Sequence, residues 1–371
     1  MPRIDLVRRS EVSLSTRARQ LASMFELEER STEERWSFDL DLPDRWSVGL
    51  IVGPSGSGKT TVGREVFAEC FAKYDWPQDG TLIDGFDPEV SVKDAAAALS
   101  RVGFSSPPAW LRPYHVLSNG QKFRADMARL LVDTREIVAV DEFTSVVDRD
   151  VARIGSAALG KAVRSGGRRM VAISCHDDII EWLQPDWVLH MPSGKLDRRS
   201  VRRHPPINIT IQRVDRTAWD VFRHHHYLDH SLSRSAACFV ALWNERPVAF
   251  ASAMSFPHPT SPGWREHRTV CLPDFQGVGI GNKLSEVIAA AYAATGKPYR
   301  STTSHPAMVR YRAASRKWKM TRRPSRCRAQ GVGSTLRPSA VQSRGRYTAA
   351  FNWVGPADAR AAEAWGLLRV K

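Results

Sequence analysis

Gly53-Pro54-Ser55-Gly56-Ser57-Gly58-Lys59-Thr60 decides the fold of the first half of this chain. It is a complete G-x-x-x-x-G-K-[ST] phosphate loop, and its flanks agree with it. Trp46 to Val52 is a short apolar run of the kind that forms a buried strand, and Thr61 to Phe67 is amphipathic and helix-compatible. Glycines let successive backbone N–H groups converge on phosphate oxygens, and the helix that follows adds partial positive charge at its N-terminus. Lys59 is placed to reach the β- and γ-phosphates, the Thr60 hydroxyl to ligate Mg²⁺, and Thr61 to close the cradle. The motif predicts a nucleoside triphosphate site, with ATP and Mg²⁺ as its ligands.

The second half of that site is Ile137-Val138-Ala139-Val140-Asp141-Glu142. Four β-formers run into Asp141, which would hold Mg²⁺ through water, and Glu142, which would polarise an attacking water. An apolar strand ending in two acids is ordinarily just a strand end, but three neighbours change its meaning. Leu117-Ser118-Asn119-Gly120-Gln121 precedes a helix-like segment, Ser145-Val146-Val147-Asp148 follows the strand, and Met170 to Ser174 is a second strand leading to Cys175-His176. In this order the motifs resemble those of ABC-type ATPases, over roughly residues 35 to 200. The resemblance implies a head-to-tail homodimer in which Ser118, Asn119, Gly120 and Gln121 of one subunit close on ATP held by the other. It also implies a nucleotide contact from Asp148 and a γ-phosphate contact from His176. Two departures stand out: Asn119 replaces the usual glycine, and the short stretch between Lys59 and Leu117 offers no convincing Q-loop glutamine. Trp36 and Phe38 lie about where an adenine-stacking aromatic would, but two aromatics on an alternating strand are more often core. No apolar run reaches the length of about 18 residues that spans a bilayer. A transporter subunit and a membrane partner are therefore not expected.

With 371 residues, 42% hydrophobic and 25% charged, the chain has room for two ordinary domains with cores. Its five cysteines are scattered, with no C-x-x-C pair, which argues against a disulfide framework or a zinc ribbon and fits a reducing cytoplasm, bacterial or phage-infected. The N-terminus has no apolar signal core, and residues 1–35 read as a helical segment. Net charge is +15, and no Asp or Glu occurs between Glu286 and Asp358. From Arg310 to Arg346 that interval holds Arg310, Arg312, Arg316, Lys317, Lys319, Arg322, Arg323, Arg326, Arg328, Arg337, Arg344 and Arg346. A charge run is usually a solvated face; a long one without compensating acid is an electrostatic footprint for a polyanion, expected here to be nucleic acid, DNA above all. Tyr311, Trp318 and Tyr347 are interleaved and available to stack on bases, although Trp318 could equally be core.

A basic stretch ending in Pro205-Pro206 reads as a linker, followed by a strand at Ile207 to Ile211 and a hairpin, Ala237 to Trp243 and Arg246 to Ser252, turning at Asn244-Glu245. The chemical signal is Arg268 to Gly281. There a strand runs into Gln276-Gly277-Val278-Gly279-Ile280-Gly281, and a helix begins near Asn282. Backbone N–H groups at such a helix N-terminus suit a pyrophosphate. Strand, Gln-x-x-Gly-x-Gly and helix resemble the acetyl-CoA loop of GNAT acetyltransferases, and the strand near Tyr299–Thr303 and helix near His305–Lys317 match the next elements of that fold. The resemblance covers about 207 to 325 and implies acetyl-CoA bound by Gln276 to Gly281. His226-Tyr227-Leu228, the loop and Ser304-His305-Pro306 together resemble phage Mom-type DNA-modifying GNAT proteins, which alter the exocyclic amine of adenine. His226 and Tyr227 are carried over as site residues, against the plain alternative that they close a helix and pack on the sheet. That resemblance also leaves iron open as a cofactor, although His224, His225 and His226 point in different directions if helical.

The expected fold class is α/β: a P-loop ABC-type ATPase domain over residues 1–203, then a GNAT-fold mixed α/β domain with a basic tract over 204–371. The expected function is ATP-driven dimerisation on nucleic acid coupled to acyl transfer to DNA bases. Two alternatives stay open: an ATP-regulated protein or small-molecule N-acetyltransferase, and a non-catalytic GNAT domain that binds nucleic acid on an ATPase motor. Glu142 and His176 would serve the first site, and His226 as base with Tyr227 as acid the second; Tyr311 or Tyr347 could replace Tyr227.

Overall fold

The computed structural model describes residues 3–10, 15–25, 32–198, 205–227, 230–326 and 347–368. They form two compact units that do not follow the chain in simple order. The first comprises Met1–Lys73, Thr134–Ser145 and Val163–Arg203, and the second Tyr74–Asp133, Val146–Ala162 and His204–Lys371.

In the first unit β1 (Arg3–Ser10) pairs antiparallel with β2 (Thr32–Asp39), with helix α1 (Thr16–Met24) between them in sequence. The N-terminal segment 1–35, expected to be helical, is therefore strand, helix and the start of a strand. The cause is the period-2 alternation at its start, which turns Ile4 and Leu6 onto the core while Arg3 and Asp5 face out. Strand β3 (Val48–Val52) is wholly buried and leads through the phosphate loop into α2 (Lys59–Val66). With β4 (Ile137–Val140), β5 (Arg169–Ser174), β6 (Trp187–His190) and β7 (Lys195–Arg198) it forms a sheet of order β4-β5-β3-β6-β7. All neighbours are parallel except β6 and β7. A parallel sheet covered on both faces explains why these strands read as continuous apolar runs rather than alternating ones. Trp187 fills the space left by Gly49, where a Cβ would fall 2.0 Å from the indole, and stacks on Phe67 with ring centroids 6.1 Å apart. Trp36 is buried in the same core, its indole against Gly58, and Phe38 packs against that core.

The second unit begins with α3 (Val92–Arg101), α4 (Asn119–Val132) and the part of α5 (Arg149–Ser165) up to Ala162. It continues with seven strands: β8 (Thr210–Val214), β9 (Ala237–Trp243), β10 (Arg246–Phe256), β11 (Gly263–Cys271), β12 (Tyr299–Thr303), β13 (Trp318–Arg326) and β14 (Tyr347–Trp353). Helix α6 (Ile280–Ala293) connects β11 to β12, α7 (Pro306–Ala314) connects β12 to β13, and α8 (Ala359–Ala364) follows β14. The first of these strands starts at Thr210, later than the Ile207 expected from alternation. Asn244 and Glu245, both at positive φ (48° and 63°), make the expected hairpin turn.

The sheet order is β13-β14-β12-β11-β10-β9-β8, antiparallel except where β11 meets β12. Those two parallel strands pair only at Trp264–Tyr299 and Arg265–Arg300 and then separate, which leaves a gap in the sheet toward Cys271 and Thr303. Beneath it Arg312 of α7 and Glu266 of β11 make a buried ion pair at 3.0 Å, joined by the hydroxyls of Ser285, Ser301 and Thr269. Burial would raise the Glu266 pKa, but Arg312 and these hydroxyls overcome it and hold the carboxyl below its ordinary value. Arg312 stacks over Trp318, which is core. The basic tract is thus not one solvated face: Arg312 and Trp318 are interior, and Lys317 pairs with Glu286 at 2.8 Å. Arg310, Arg316, Lys319, Arg322, Arg323 and Arg326 are exposed. Arg328, Arg337, Arg344 and Arg346 lie outside the described residues. No described helix is long and apolar enough to cross a membrane.

Candidate active sites

In the first unit the phosphate loop lies over the C-terminal end of β3, where a parallel sheet presents its ligands. Gly58 caps α2 in the left-handed conformation (φ 84°), and Gly56 is left-handed too (φ 78°) with no atom near a built Cβ. Loop residues Ser55, Gly56, Gly58, Lys59, Thr60 and Thr61 share a cavity with Asp141, Glu142 and Cys175. Thr60 Oγ1 donates to Asp141 Oδ1 at 3.0 Å, so the hydroxyl and carboxylate expected to serve Mg²⁺ face each other. Lys59 Nζ donates to the Pro54 carbonyl at 2.5 Å, folded back across the loop. The first-turn N–H groups of α2 lack intrahelical partners, and Ser57 Oγ is buried without a hydrogen-bond partner among the described residues. This donor set fits a magnesium-bound triphosphate. Glu142 stands at φ 49°, a conformation that non-glycine residues rarely adopt, and is held there from both sides. Its N–H donates to Asp141 Oδ1 at 3.0 Å, and the next N–H, of Phe143, donates to Ile173 O at 2.8 Å. His176 follows Cys175, half-buried, and does not itself line the cavity. Arg8 and Glu34, directly opposite each other on β1 and β2, do line it. Nothing in the sequence singled them out, because only strand pairing brings them there.

Ser118, Asn119, Gly120, Gln121 and Asp148 belong to the second unit. Ser118 caps α4 through a reciprocal box: its Oγ accepts from Gln121 N at 3.3 Å, and Gln121 Oε1 accepts from Ser118 N at 3.1 Å. Asn119 is the first helical residue, so the position needs no left-handed backbone and tolerates its side chain. Asp148 caps α5, accepting from Asp150 N and Val151 N at 3.0 Å each.

The gap between β11 and β12 opens into a cavity of about 250 Å³. Gln276, Gly277, Gly279, Ile280 and Gly281 line one side, and His226, Tyr227, His305 and Met308 face it. Gly279 caps α6 at φ 92°, with no atom within 4 Å of a built Cβ, and the first-turn N–H groups of α6 are free of intrahelical partners. An open, N–H-rich cradle at a helix start fits the diphosphate of acetyl-CoA. Val278 lies within the loop but does not line the cavity. The Gln276 side chain serves the loop itself: Nε2 donates to Cys271 O at 2.8 Å, and Oε1 accepts from Ser105 N at 2.9 Å. Tyr227 Oη and Ser304 Oγ are 2.6 Å apart. His226 is buried between Trp219 and the Tyr227 ring, so packing and cavity lining coexist in it. Cys271 lines the cavity, and burial pushes its thiol up to about 12 against the opposing pull of Arg124. Tyr311 donates to Glu286 at 2.8 Å and is pushed up to about 12, mainly by burial; Tyr347 is exposed on β14.

The GNAT acetyltransferase family model matches residues 201–311. Over 143 residues the chain is 41% identical to the cytochrome c biogenesis ATP-binding export protein CcmA of Paracoccus denitrificans (strain Pd 1222), covering 33% of this chain and 67% of that protein. The chain belongs to the ABC ATPase family. It is also 36% identical over 85 residues to the putative ABC transporter ATP-binding protein alr3946 of Nostoc sp. (strain PCC 7120 / SAG 25.82 / UTEX 2576), covering 23% of this chain. It spans 30% of that relative's length. Among solved structures, the dimeric bacterial ABC transporter cassette MJ0796 aligns over 53% of this chain and 100% of its own, with 14% identity and a TM-score of 0.38. CbiO1 from Clostridium perfringens aligns over 41% of this chain and 75% of its own, with 20% identity and a TM-score of 0.31.

This ABC ATPase therefore carries a C-terminal GNAT domain, and helices α3, α4 and α5 of the ATPase pack in one unit with it. Arg124 of α4, 3% exposed, donates to Gly103 O at 2.8 Å, Pro273 O at 2.6 Å and Asp274 O at 2.8 Å. Burial lowers its pKa to about 10, opposed first by Asp274, and it stays charged at neutral pH. Gly277 rests on Gly103 and Ala158, and Arg246 of β10 pairs with Asp150 of α5 at 2.7 Å. Arg124, Ser105 and His305 were not among the site residues expected from the sequence. His305 Nε2 meets the Ser105 carbonyl at 3.0 Å, so that nitrogen carries the proton, while its Nδ1 is buried without a partner among the described residues. No group of three His, Cys, Asp or Glu side chains among the described residues could hold a metal ion. His224, His225 and His226 do not converge into such a group.

Proposed function

We propose that this chain is an ABC ATPase whose nucleotide cycle is coupled to N-acyl transfer from acetyl-CoA by its GNAT domain, with an amine of a DNA base as acceptor. The observation that carries the coupling is the grip of Arg124, on the helix that Ser118 caps, upon the two carbonyls just before the Gln276–Gly281 loop. In this reading Ser118 to Gln121 and Asp148 meet ATP bound at Lys59, Thr60, Asp141 and Glu142 of a second copy, with His176 at the γ-phosphate. Head-to-tail closure then moves α4, and α4 moves the donor loop.

Acetyl-CoA supplies an activated thioester. His226 takes the proton of the attacking amine as the new C–N bond forms, and Tyr227 gives a proton to the departing sulfur as the C–S bond breaks. Ser304, at 2.6 Å from Tyr227, returns that proton from solvent. The exposed Arg316, Lys319, Arg322, Arg323 and Arg326 favour a polyanionic acceptor in the cytoplasm. Nucleoside mass spectrometry on DNA from cells expressing the wild type, Lys59→Ala and Gly279→Asp tests the reading. A new adenine-derived mass that disappears in Gly279→Asp supports base modification, and its fate in Lys59→Ala reports the need for ATP. No new mass in any sample, with soluble protein that binds ATP, moves the acceptor to a protein or small-molecule amine.

A further inference from the structure

Beside the donor cavity runs a second hollow, between α3 and α7, lined by Ser100, Arg101, Ala307, Arg310, Tyr311 and Ala314. Ser100, Ala307 and Tyr311 also line the donor cavity, so the two hollows are continuous. Among the described residues no Asp or Glu lines either one, whereas Arg101, Arg310 and Lys161 do. Arg101 is anchored by Nη2 donating to Ala162 O at 2.8 Å. Burial, and then the like charge of Arg310, lowers its pKa. Lys161 projects from α5 one turn beyond Ala158, the residue on which Gly277 rests. Two arginines lining one groove, with a lysine lining the cavity that continues from it and no lining carboxylate in either, cost free energy until an anion joins them.

We propose that this groove seats a phosphate monoester at the far end of the acyl donor, the 3′-phosphate of CoA, held by Arg101, Lys161 and Arg310. Arg101 and Lys161 come from the ATPase portion, outside the 201–311 match, so the donor site is a composite of both parts of the chain. The inference rests on the reading of the Gln276–Gly281 loop as a CoA site. It gives the fusion a second purpose: without α3 and α5 the GNAT domain lacks two of three phosphate ligands.

The test is calorimetric titration of the full chain with CoA and with 3′-dephospho-CoA. Wild type should bind CoA roughly tenfold more tightly than the dephospho compound. Lys161→Ala and Arg310→Ala, both at exposed positions, should each weaken CoA binding about fivefold or more while changing dephospho-CoA affinity by less than about twofold. Equal affinity of wild type for the two ligands, or variants that weaken both alike, overturns the phosphate subsite while leaving the loop reading intact. Failure of wild type to bind either ligand overturns the loop reading itself, and the subsite with it.

Discussion

Arg124 Nη2 donates to the carbonyl of Asp274 at 2.8 Å, and through that bond a helix of the ATPase holds the segment that leads into the Gln276–Gly281 loop of the GNAT domain. Nη1 serves Gly103 O and Pro273 O, so one planar guanidinium closes three carbonyls, that of Gly103 buried. Arg124→Met leaves all three without that donor, and an unsatisfied buried acceptor such as Gly103 O costs about 1–3 kcal/mol. The expected result is a loss of about 1–3 kcal/mol in urea unfolding, together with weaker CoA binding. Arg124→Lys should rescue little, because an ammonium cannot reproduce the fork. Unchanged CoA affinity in a folded Arg124→Met protein would detach the clasp from donor binding.

The two left-handed glycines of the donor loop should respond differently to the same substitution. A Cβ on Gly279 meets nothing within 4 Å, so Gly279→Ala bears only the backbone penalty of φ 92°, about 1 kcal/mol. A Cβ on Gly277 meets Ala158 Cβ at 2.8 Å and Gly103 Cα at 3.0 Å, in addition to φ 95°. Gly277→Ala should therefore lower the melting temperature more than Gly279→Ala, and Ala158→Gly should recover part of the loss. Equal effects of the two glycine variants would show that packing against α5 contributes nothing at Gly277.

The phosphate loop, the Asp141-Glu142 pair and the Gln276–Gly281 loop were legible because each is local: the glycines, the strand before and the helix after sit within one short stretch. Contacts that depend on distant segments were not. Arg8, Glu34, Ser105 and Lys161 reach their cavities only through strand pairing or helix packing, and no spacing in the sequence announces them. Arg124 read simply as a charged residue on the helix after Ser118. Arg312 misled in the opposite direction: within a run of basic residues it looked like surface, although Glu266, far upstream on β11, takes it into the interior, while Trp318, which the sequence left open between stacking and core, is core. The N-terminal segment failed for another reason, since α1 is only one part of a strand–helix–strand unit.

In the proposed cycle Glu142 serves hydrolysis rather than binding; its backbone is locked between Asp141 Oδ1 and the Phe143–Ile173 hydrogen bond. Glu142→Gln keeps size and polarity but removes the charge that polarises water. ATPase turnover should fall about 100-fold or more while ATP affinity holds. With ATP the variant should elute as a dimer in size-exclusion chromatography and bind duplex DNA more tightly than its ATP-free form. A monomer with and without ATP would sink the head-to-tail cycle, and equal DNA binding in both states would sink its coupling to nucleic acid.

His305 offers a pH signature for the seam between Ser105 and the donor cavity. Burial lowers its pKa below the usual histidine value, and the hydrogen bond to Ser105 O only partly opposes this. The unfolded chain, with a histidine pKa near about 6.5, therefore binds more protons than the folded one just below that pH. It follows that the His305 contribution is fully present above about pH 6.5 and is lost as pH falls through the lowered folded value. A His305→Gln side chain keeps an N–H for Ser105 O but cannot titrate. Urea unfolding from neutral pH downward should show wild type losing stability relative to His305→Gln once pH drops below about 6.5. His225, whose pKa burial also lowers, is common to both proteins and cancels in the difference. Parallel stability curves across that range would mean that His305 keeps an ordinary pKa in the folded chain.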